Sequence, residues 1–492
     1  MSTRLLRGIR AIAAATAAAL LLTGCSILPS SAGAGSSAGT TNSMSDVRNG
    51  NMITNGLDAA GADPAIIHYH GSYYYVKVDN GTIVLVKSNW LGDISTGETA
   101  TVLEEGNGLE QYWAPELHRL DGAWYIYVAA QKVGDTIHRT YVLSNHADDP
   151  MSGEWQIEPM GGMDDKFAID ATVVETKRGR WLVWSGWEGY ENVQQNLYIA
   201  RMVSPVEVKS EKILISEPDH DWERVGDPKV NEGPAAIVHG DTVNLTYSAS
   251  GSWTDDYCIG LLTASATADL SDPSAWTKHD KPILSKGHGI YGPGHNSFVE
   301  SPDGRQTLMI YHSARWSGGG WNRSVRFQPV TFDKNGAIEP MDIQYSNQMV
   351  PVPSGEPERT RALPDDIDIP ESNRDDVTVV KDGLAVSGKA IGGLEDASRS
   401  VSWTFDVPKD GDYSLFVWNR MEKLRDESET SDVTLTVDDG EGMTKTIYQT
   451  AYYQPTGMRV RLTAGRHTLK VSFNSIGNPV RVDRMELMPS DK

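Results

Sequence analysis

An all-β protein, with a five-bladed β-propeller followed by a β-sandwich, is what this sequence predicts. Three observations carry the prediction. A hairpin grammar recurs five times between residues 63 and 314, its copies are spaced by about fifty to sixty residues, and short alternating strands take over after residue 374. The composition agrees: 47 glycines and 14 tryptophans in 492 residues mark a turn-rich chain, and 39% hydrophobic with 22% charged residues is globular. A chain of this length exceeds one ordinary core, so about two domains are expected.

Residues 1–24 read as an export signal. Arg4, Arg7 and Arg10 form a positive start, and "AIAAATAAALLL" is apolar but too short to span a bilayer. "LTGC" then ends at Cys25, and Gly24 before it resembles a bacterial lipobox. That resemblance implies that Cys25 is lipid-modified and becomes the new N-terminus. A plain secretory signal with an incidental cysteine is the alternative. Residues 25–50, with "SSAGAGSSAGTTNS", read as a flexible leader. The mature protein is expected on the extracellular face of the bacterial cell membrane, touching it only through the lipid.

The formal charge of −22 argues against nucleic acid, whose recognition needs Lys/Arg patches, and suits a neutral partner. With Cys25 lipid-modified, Cys258 is the single free cysteine, which excludes an intrachain disulfide or a cysteine-based zinc cluster.

Residues 51–345 hold the repeats. Each copy is a polar or small residue, an apolar strand, a tight turn and an aromatic strand. The copies are "GADPAIIHYHGSYYYV", "WAPELHRLDGAWYIYVAA", "DATVVETKRGRWLVWSGW", "EGPAAIVHGDTVNLTYSASG" and "HNSFVESPDGRQTLMIYHSA". Third strands follow as "GTIVLVKS", "RTYVLSN", "NLYIARM", "CIGLLTASA" and "SVRFQPVTF". Four strands per unit, five times over, make a five-bladed propeller; a β-helix needs a shorter period, and a long sandwich rarely repeats so regularly. In a propeller the first strands line the central channel in one direction. Their starting residues, Asp63, Trp113, Asp170, Glu232 and His295, therefore gather at one mouth. Pro64 and Pro234 fit strand starts, where no ladder N–H is needed.

A lone Asp-Pro is a turn signal. Three acids at equivalent repeat positions need another account, because desolvation and mutual repulsion oppose burying carboxylates together. Carboxylates across a sugar bond are the apparatus of glycoside hydrolysis: one protonates the leaving oxygen, one activates water, and a third tunes the acid.

The order Asp-Pro, "WAPE", "IDAT", "EGP" and "GPGHNS" resembles glycoside hydrolase family 43 over roughly residues 55–345. The resemblance implies an inverting hydrolase with Asp63 as general base, Asp170 as orienter and pKa modulator, and Glu232 as general acid. It implies that His295 holds a water or a water-mediated calcium, with no organic cofactor required. "QYWAPELHRLDGAWYIYVAA" is similar to the arabinofuranosidase branch of that family. The expected activity is release of terminal α-L-arabinofuranose from plant arabinan, arabinoxylan or arabinogalactan side chains. The alternatives are β-D-xylosidase or exo-galactanase action, and a non-catalytic glycan-binding surface lipoprotein. Trp113, Trp187, Trp253 and Tyr291 are candidate pocket walls, with packing between blades as the plainer reading. Arg323 and Arg326 are candidates to orient Glu232 or a sugar hydroxyl, with a strand-edge charge as the plainer reading.

Residues 346–373, rich in Pro and charge, read as a linker or a wrapped connection. Residues 374–492 read as a β-sandwich of jelly-roll type. "LTAGRHTLKVSF" with "VRVDRMEL" resembles carbohydrate-binding modules of the family 6 and 35 type. Trp418, Tyr452 and Tyr453 are candidate stacking platforms. The alternative is that the domain braces the propeller.

Overall fold

A computed structural model describes residues 39–425 and 429–492. The export signal and Cys25 lie outside the described residues. Five blades follow one another around a channel: three are separate four-stranded sheets, and blades three and four are joined into one larger sheet where Gln194 and Gln195 pair in parallel with Lys229 and Val230. Their inner strands are Ala65–Tyr69, Leu109–Leu120, Ala168–Thr176, Lys229–His239 and Tyr291–Glu300. Two-residue turns close four of the five hairpins, and a six-residue connection, residues 301–306, closes the fifth. Asp121 and Gly122 both take positive φ (49° and 82°), the mirror-image turn whose twist suits adjoining strands.

Each blade is buried on both faces, so the cores lie between blades. Tyr73 and Tyr75 pack with Leu308 and Phe327 between blades five and one, whereas Tyr74 packs with Trp124 between blades one and two. The run of three tyrosines thus alternates between two cores, as the twofold pleat requires.

Blade five departs from the repeat. It has three strands of its own, Tyr291–Glu300, Thr307–Ala314 and Arg323–Val330. Its fourth is Gly56–Asp58, contributed from before blade one and paired with Arg326 and Val325. This closes the ring and removes the sheet edges that the two chain ends would leave.

The leader is shorter than the sequence suggested. Met44–Arg48 form a helix, and Val47, fully buried, packs against Met349, Leu363 and Val386. Asn42 Nδ2 donates to the carbonyls of Asn347 and Val386, so residues 39–50 are docked by polar bonds and one apolar anchor. Residues 346–373 wrap the molecule. Val350–Pro351 pair with Met52–Ile53, and Thr360–Ala362 pair with Leu487, Glu486 and Met485 of the last strand.

The C-terminal domain is two sheets over one core. Gly411–Met421, Gln454–Leu462 and Val480–Pro489 belong to one sheet, and Ser400–Val407, Thr430–Val437 and Gly465–Asn474 to the other. Leu415, Val417, Leu435 and Val471 share the core between them. The other face of the first sheet is covered as well: Phe416, Trp418 and Tyr453 pack with Trp90 of the propeller. Trp418, Tyr452 and Tyr453 are therefore not open platforms for sugar. They are 3%, 2% and 5% exposed, and the indole N–H of Trp418 donates to Glu486. A sequence does not show that both faces of a sheet are covered, so these aromatics read equally well as surface.

Candidate active site

Left-handed residues mark where the inner strands reach the channel. Asp63 (φ 47°), Ala114 (45°), Asp170 (57°), Gly233 (53°) and His295 (44°) supply one per blade. Register shifts accompany them at Ile169/Thr172, Glu232/Ala235 and Gly294/Ser297. Such bulges re-aim a side chain out of the pleat. Pro234 sits inside its bulge and so removes no regular ladder bond.

Gly233 connects three of the site residues. It takes the left-handed bend beside Glu232, its N–H donates to Asp170 Oδ2 at 3.0 Å, and a Cβ on it would stand 3.1 Å from His295 Cγ and Nδ1. The bend, the hydrogen bond and the close approach of the ring together require glycine.

Asp63 is the most heavily partnered carboxylate. Its Oδ1 lies 3.0 Å from Arg323 Nη1, 3.2 Å from His295 Nδ1 and 3.3 Å from His312 Nδ1. Burial opposes ionisation, but His295 and Arg323 together hold the carboxyl far below the usual range. Burial, with Arg323 adding to it, drops His312 to about 3, so its ring is neutral and its Nδ1 accepts the backbone N–H of Asp63 at 3.0 Å. His295 behaves oppositely. Its burial is outweighed by Asp63, Asp170 and Glu232, which raise its pKa.

Asp170, 7% exposed, is pushed up to about 7 by burial and, against the pull of His295, by the charges of Glu232 and Asp63. The site thus keeps a proton close to neutral pH. Glu232 is fixed at both oxygens: Gln195 Nε2 donates to Oε2 at 2.8 Å, and the Tyr257 hydroxyl donates to Oε1 at 2.9 Å.

These groups form the floor of a cavity of about 720 Å³. Trp113, Trp187, Trp253, His295 and Arg323 line it; Arg323 is paired with Asp63 and not with Glu232, whose partners are Gln195 and Tyr257. Trp113 stacks on His138 at 3.5 Å and Trp187 on Phe167 at 4.3 Å, making one wall. Trp253 meets Trp321 edge-on at 6.5 Å on another. Two candidates fall away. Tyr291 pairs with Ala314 in blade five and is not part of the cavity lining. Arg326 is 1% exposed and turns from the channel, donating to Ser313 Oγ and Asn55 Oδ1. Sequence reasoning missed Gln195, Tyr257, His312 and Trp321.

Among the described residues, one trio brings metal-ligand atoms within 4.8 Å of one another: Asp219, His220 and Glu223. Glu223 there already accepts from Lys278, Tyr247 and Asn231, so its oxygens are occupied. His295 stands beside Arg323 on the same carboxylate oxygen, and the trio does not include it.

Residues 54–338 match the family described as Glycosyl hydrolases family 43. The chain belongs to that family. An extracellular exo-α-(1→5)-L-arabinofuranosidase of Streptomyces avermitilis is 38% identical over 301 residues, which cover 58% of this family member and 62% of that relative. The match thus spans less than two thirds of the relative's length. Among solved structures, an α-L-arabinofuranosidase from Lactobacillus brevis is 31% identical with a TM-score of 0.56, over 60% of this chain and 98% of its own. An exo-β-1,3-galactanase from Phanerochaete chrysosporium, 13% identical, has a TM-score of 0.51 and covers 89% of this chain and 100% of its own. At that identity it shows the fold alone.

Proposed function

We propose that this glycoside hydrolase releases terminal α-L-arabinofuranose from plant polysaccharide side chains with inversion. One observation carries the reading: an ionised carboxylate, Asp63, a carboxyl that keeps its proton up to about pH 7, Asp170, and the Glu232 side chain converge on one aromatic-walled cavity. The sugar assignment is supported by the names of the Streptomyces and Lactobacillus relatives. The terminal sugar enters between the aromatic walls. Asp63 takes a proton from a water as that water attacks the anomeric carbon. Glu232 gives its proton to the glycosidic oxygen, and the bond to the leaving chain breaks. Asp170 keeps the proton available and holds the backbone of Gly233 beside Glu232. Arg323 and His295 keep Asp63 charged and aimed.

The reaction requires no organic cofactor, and dialysis against EDTA followed by calcium readdition tests the water-mediated ion at His295. The protein is exported and held at the cell surface through Cys25; metabolic labelling with a fatty acid, abolished by Cys25→Ala, tests this. Among the described residues no helix is long and apolar enough to cross a membrane.

The activity is tested on aryl α-L-arabinofuranoside, β-D-xyloside and β-D-galactoside, with NMR of the first product anomer. Arabinoside cleavage that disappears in Glu232→Gln supports the reading. Cleavage of another sugar keeps the chemistry and replaces the substrate. Silence on all three, with glycan binding equal in both forms, makes the protein a binder.

A further inference from the structure

Tyr452 belongs to the C-terminal sandwich by sequence but to the propeller by packing. Its ring lies in the core between blades four and five, with Met309 and Tyr311. Its hydroxyl has three partners: the carbonyl of Ala314 at 2.9 Å, Ser324 Oγ at 2.9 Å and Ser313 Oγ at 3.2 Å. One arrangement of protons satisfies them all. The phenol donates to the carbonyl and accepts from both serines. Ser313 Oγ then accepts from Arg326 Nε at 2.9 Å, and Ser324 Oγ from Gln454 Nε2 at 3.1 Å. The Arg326 guanidinium lies 4.1 Å from the Tyr452 ring centroid, and its Nη1 donates to Asn55, just before the closing strand. Next to Tyr452, the N–H of Ala451 donates to the carbonyl of Arg315 at 2.8 Å.

The register of blade five gives this network its significance. Ser313 and Ser324 are directly opposed across the two strands, and the neighbouring pairs are His312 with Val325 and Ala314 with Arg323. Successive side chains alternate faces, so His312 and Arg323 share one face and the two serines share the other. His312 and Arg323 are the two groups from these strands that hold Asp63. Other bonds between the domains, such as Arg484 to Thr54 and Asn89 to Ser490, end elsewhere in the propeller. The Tyr452 network is back to back with the clamp on the carboxylate.

We propose that Tyr452 is a positioning residue for hydrolysis: the sandwich, through this hydroxyl, sets the two strands that present His312 and Arg323 to Asp63. The inference rests on the reading of Asp63 as the base. It gives the C-terminal domain a role in the chemistry, independent of any sugar it binds. Tyr452→Phe removes the hydroxyl and leaves the ring under Arg326. It lowers kcat about five- to twentyfold, with KM within twofold. Tyr453→Phe is the control, because that hydroxyl bonds to Asp382 inside the sandwich, and it leaves kcat unchanged.

A double-mutant cycle separates positioning from general loosening. In an Arg323→Lys background the effect of Tyr452→Phe shrinks, since both act on one contact. Nitrogen-15 NMR of the histidine rings supplies a readout without turnover: Tyr452→Phe shifts the His312 and His295 signals and leaves the distant His467 signals in place. If Tyr452→Phe does not fold, Ser324→Ala, which cuts the same network from the propeller side, is read in the same way. Unchanged kcat with unshifted rings, an equal loss in the Tyr453 control, or full additivity with Arg323→Lys overturns the proposal. If the wild type cleaves no glycoside, the functional reading fails, and the ring signals alone decide the positioning claim.

Discussion

Gly233→Ala is the sharpest test of how the site is built. Alanine at φ 53° pays the left-handed penalty, about 1–2 kcal/mol. Its Cβ also stands 3.1 Å from the His295 ring, so the ring must retreat by a few tenths of an ångström. Retreat is resisted, because the ring leans on Asp63 at 3.2 Å and the backbone that carries it is fixed, the main-chain N–H of His295 donating to Ser248 Oγ at 2.7 Å. Together these effects destabilise the protein by about 2–3 kcal/mol. At roughly 1.6 °C per kcal/mol for a domain of about 300 residues, Tm falls by about 3–5 °C. The catalytic loss is larger than that stability loss suggests. The same residue donates to Asp170 and adjoins Glu232, and misplacing reacting groups by about an ångström costs on the order of 100-fold. Thermal melting and kcat/KM on an aryl arabinofuranoside check both figures. Pro234→Ala, one residue on, serves as the control for general damage to the bulge. Gly233→Ala with kcat/KM within twofold of wild type would refute the reasoning, whatever happened to Tm.

The pH profile carries a second expectation. Asp170 is raised to about 7 in the folded site, so the protonated form is present below that pH and lost above it. kcat/KM therefore falls as pH rises through about 7, and Asp170→Asn removes that limb as well as lowering the rate; a profile flat from pH 6 to 8 contradicts this. Trp321 is 69% exposed on the cavity rim, with its indole N–H on Ser252 at 3.1 Å. Trp321→Ala raises KM about fivefold, for about 1 kcal/mol of aromatic contact, and leaves Tm nearly unchanged. Glu223 is fully buried with Lys278 at 2.8 Å. Glu223→Ala removes one of the two carboxylates on Lys278 and the acceptor of the buried Tyr247 and Asn231 donors, and destabilises by about 3–5 kcal/mol, measured by denaturant unfolding, while KM stays the same.

The legible part of the site was legible through repetition. A single Asp-Pro carries little information, but Asp63, Asp170 and Glu232 occupy matching positions in three of the five hairpins. The fold of the ring followed from the same copies, except for its seam. Gly56–Asp58 is three residues long and has no hairpin partner beside it in sequence, so its place in blade five leaves no local trace. Gln195, Tyr257 and His312 were missed because they lie on or next to second and third strands, where polar residues read as strand filler. The Arg326 assignment was avoidable. Arg323 and Arg326 are three residues apart in one strand, so the pleat puts them on opposite faces and only one can reach the channel. Trp418 and Tyr453 could not be resolved in this way, since what covers them comes from elsewhere in the chain: Leu384, Ala385 and Ala390 of the sandwich and Trp90 of the propeller.

Closure by Gly56–Asp58 has a consequence for a chain made from its N-terminus. That strand emerges early and finds its pairing partners, Val325 and Arg326, only after the intervening blades have been synthesised. The same delay governs the chemistry, since Asp63 and Arg323 are 260 residues apart in the chain. A nascent or prematurely ended polypeptide therefore holds Asp63 without the Arg323 guanidinium. In the proposed mechanism the site is incomplete until the first and last blades meet.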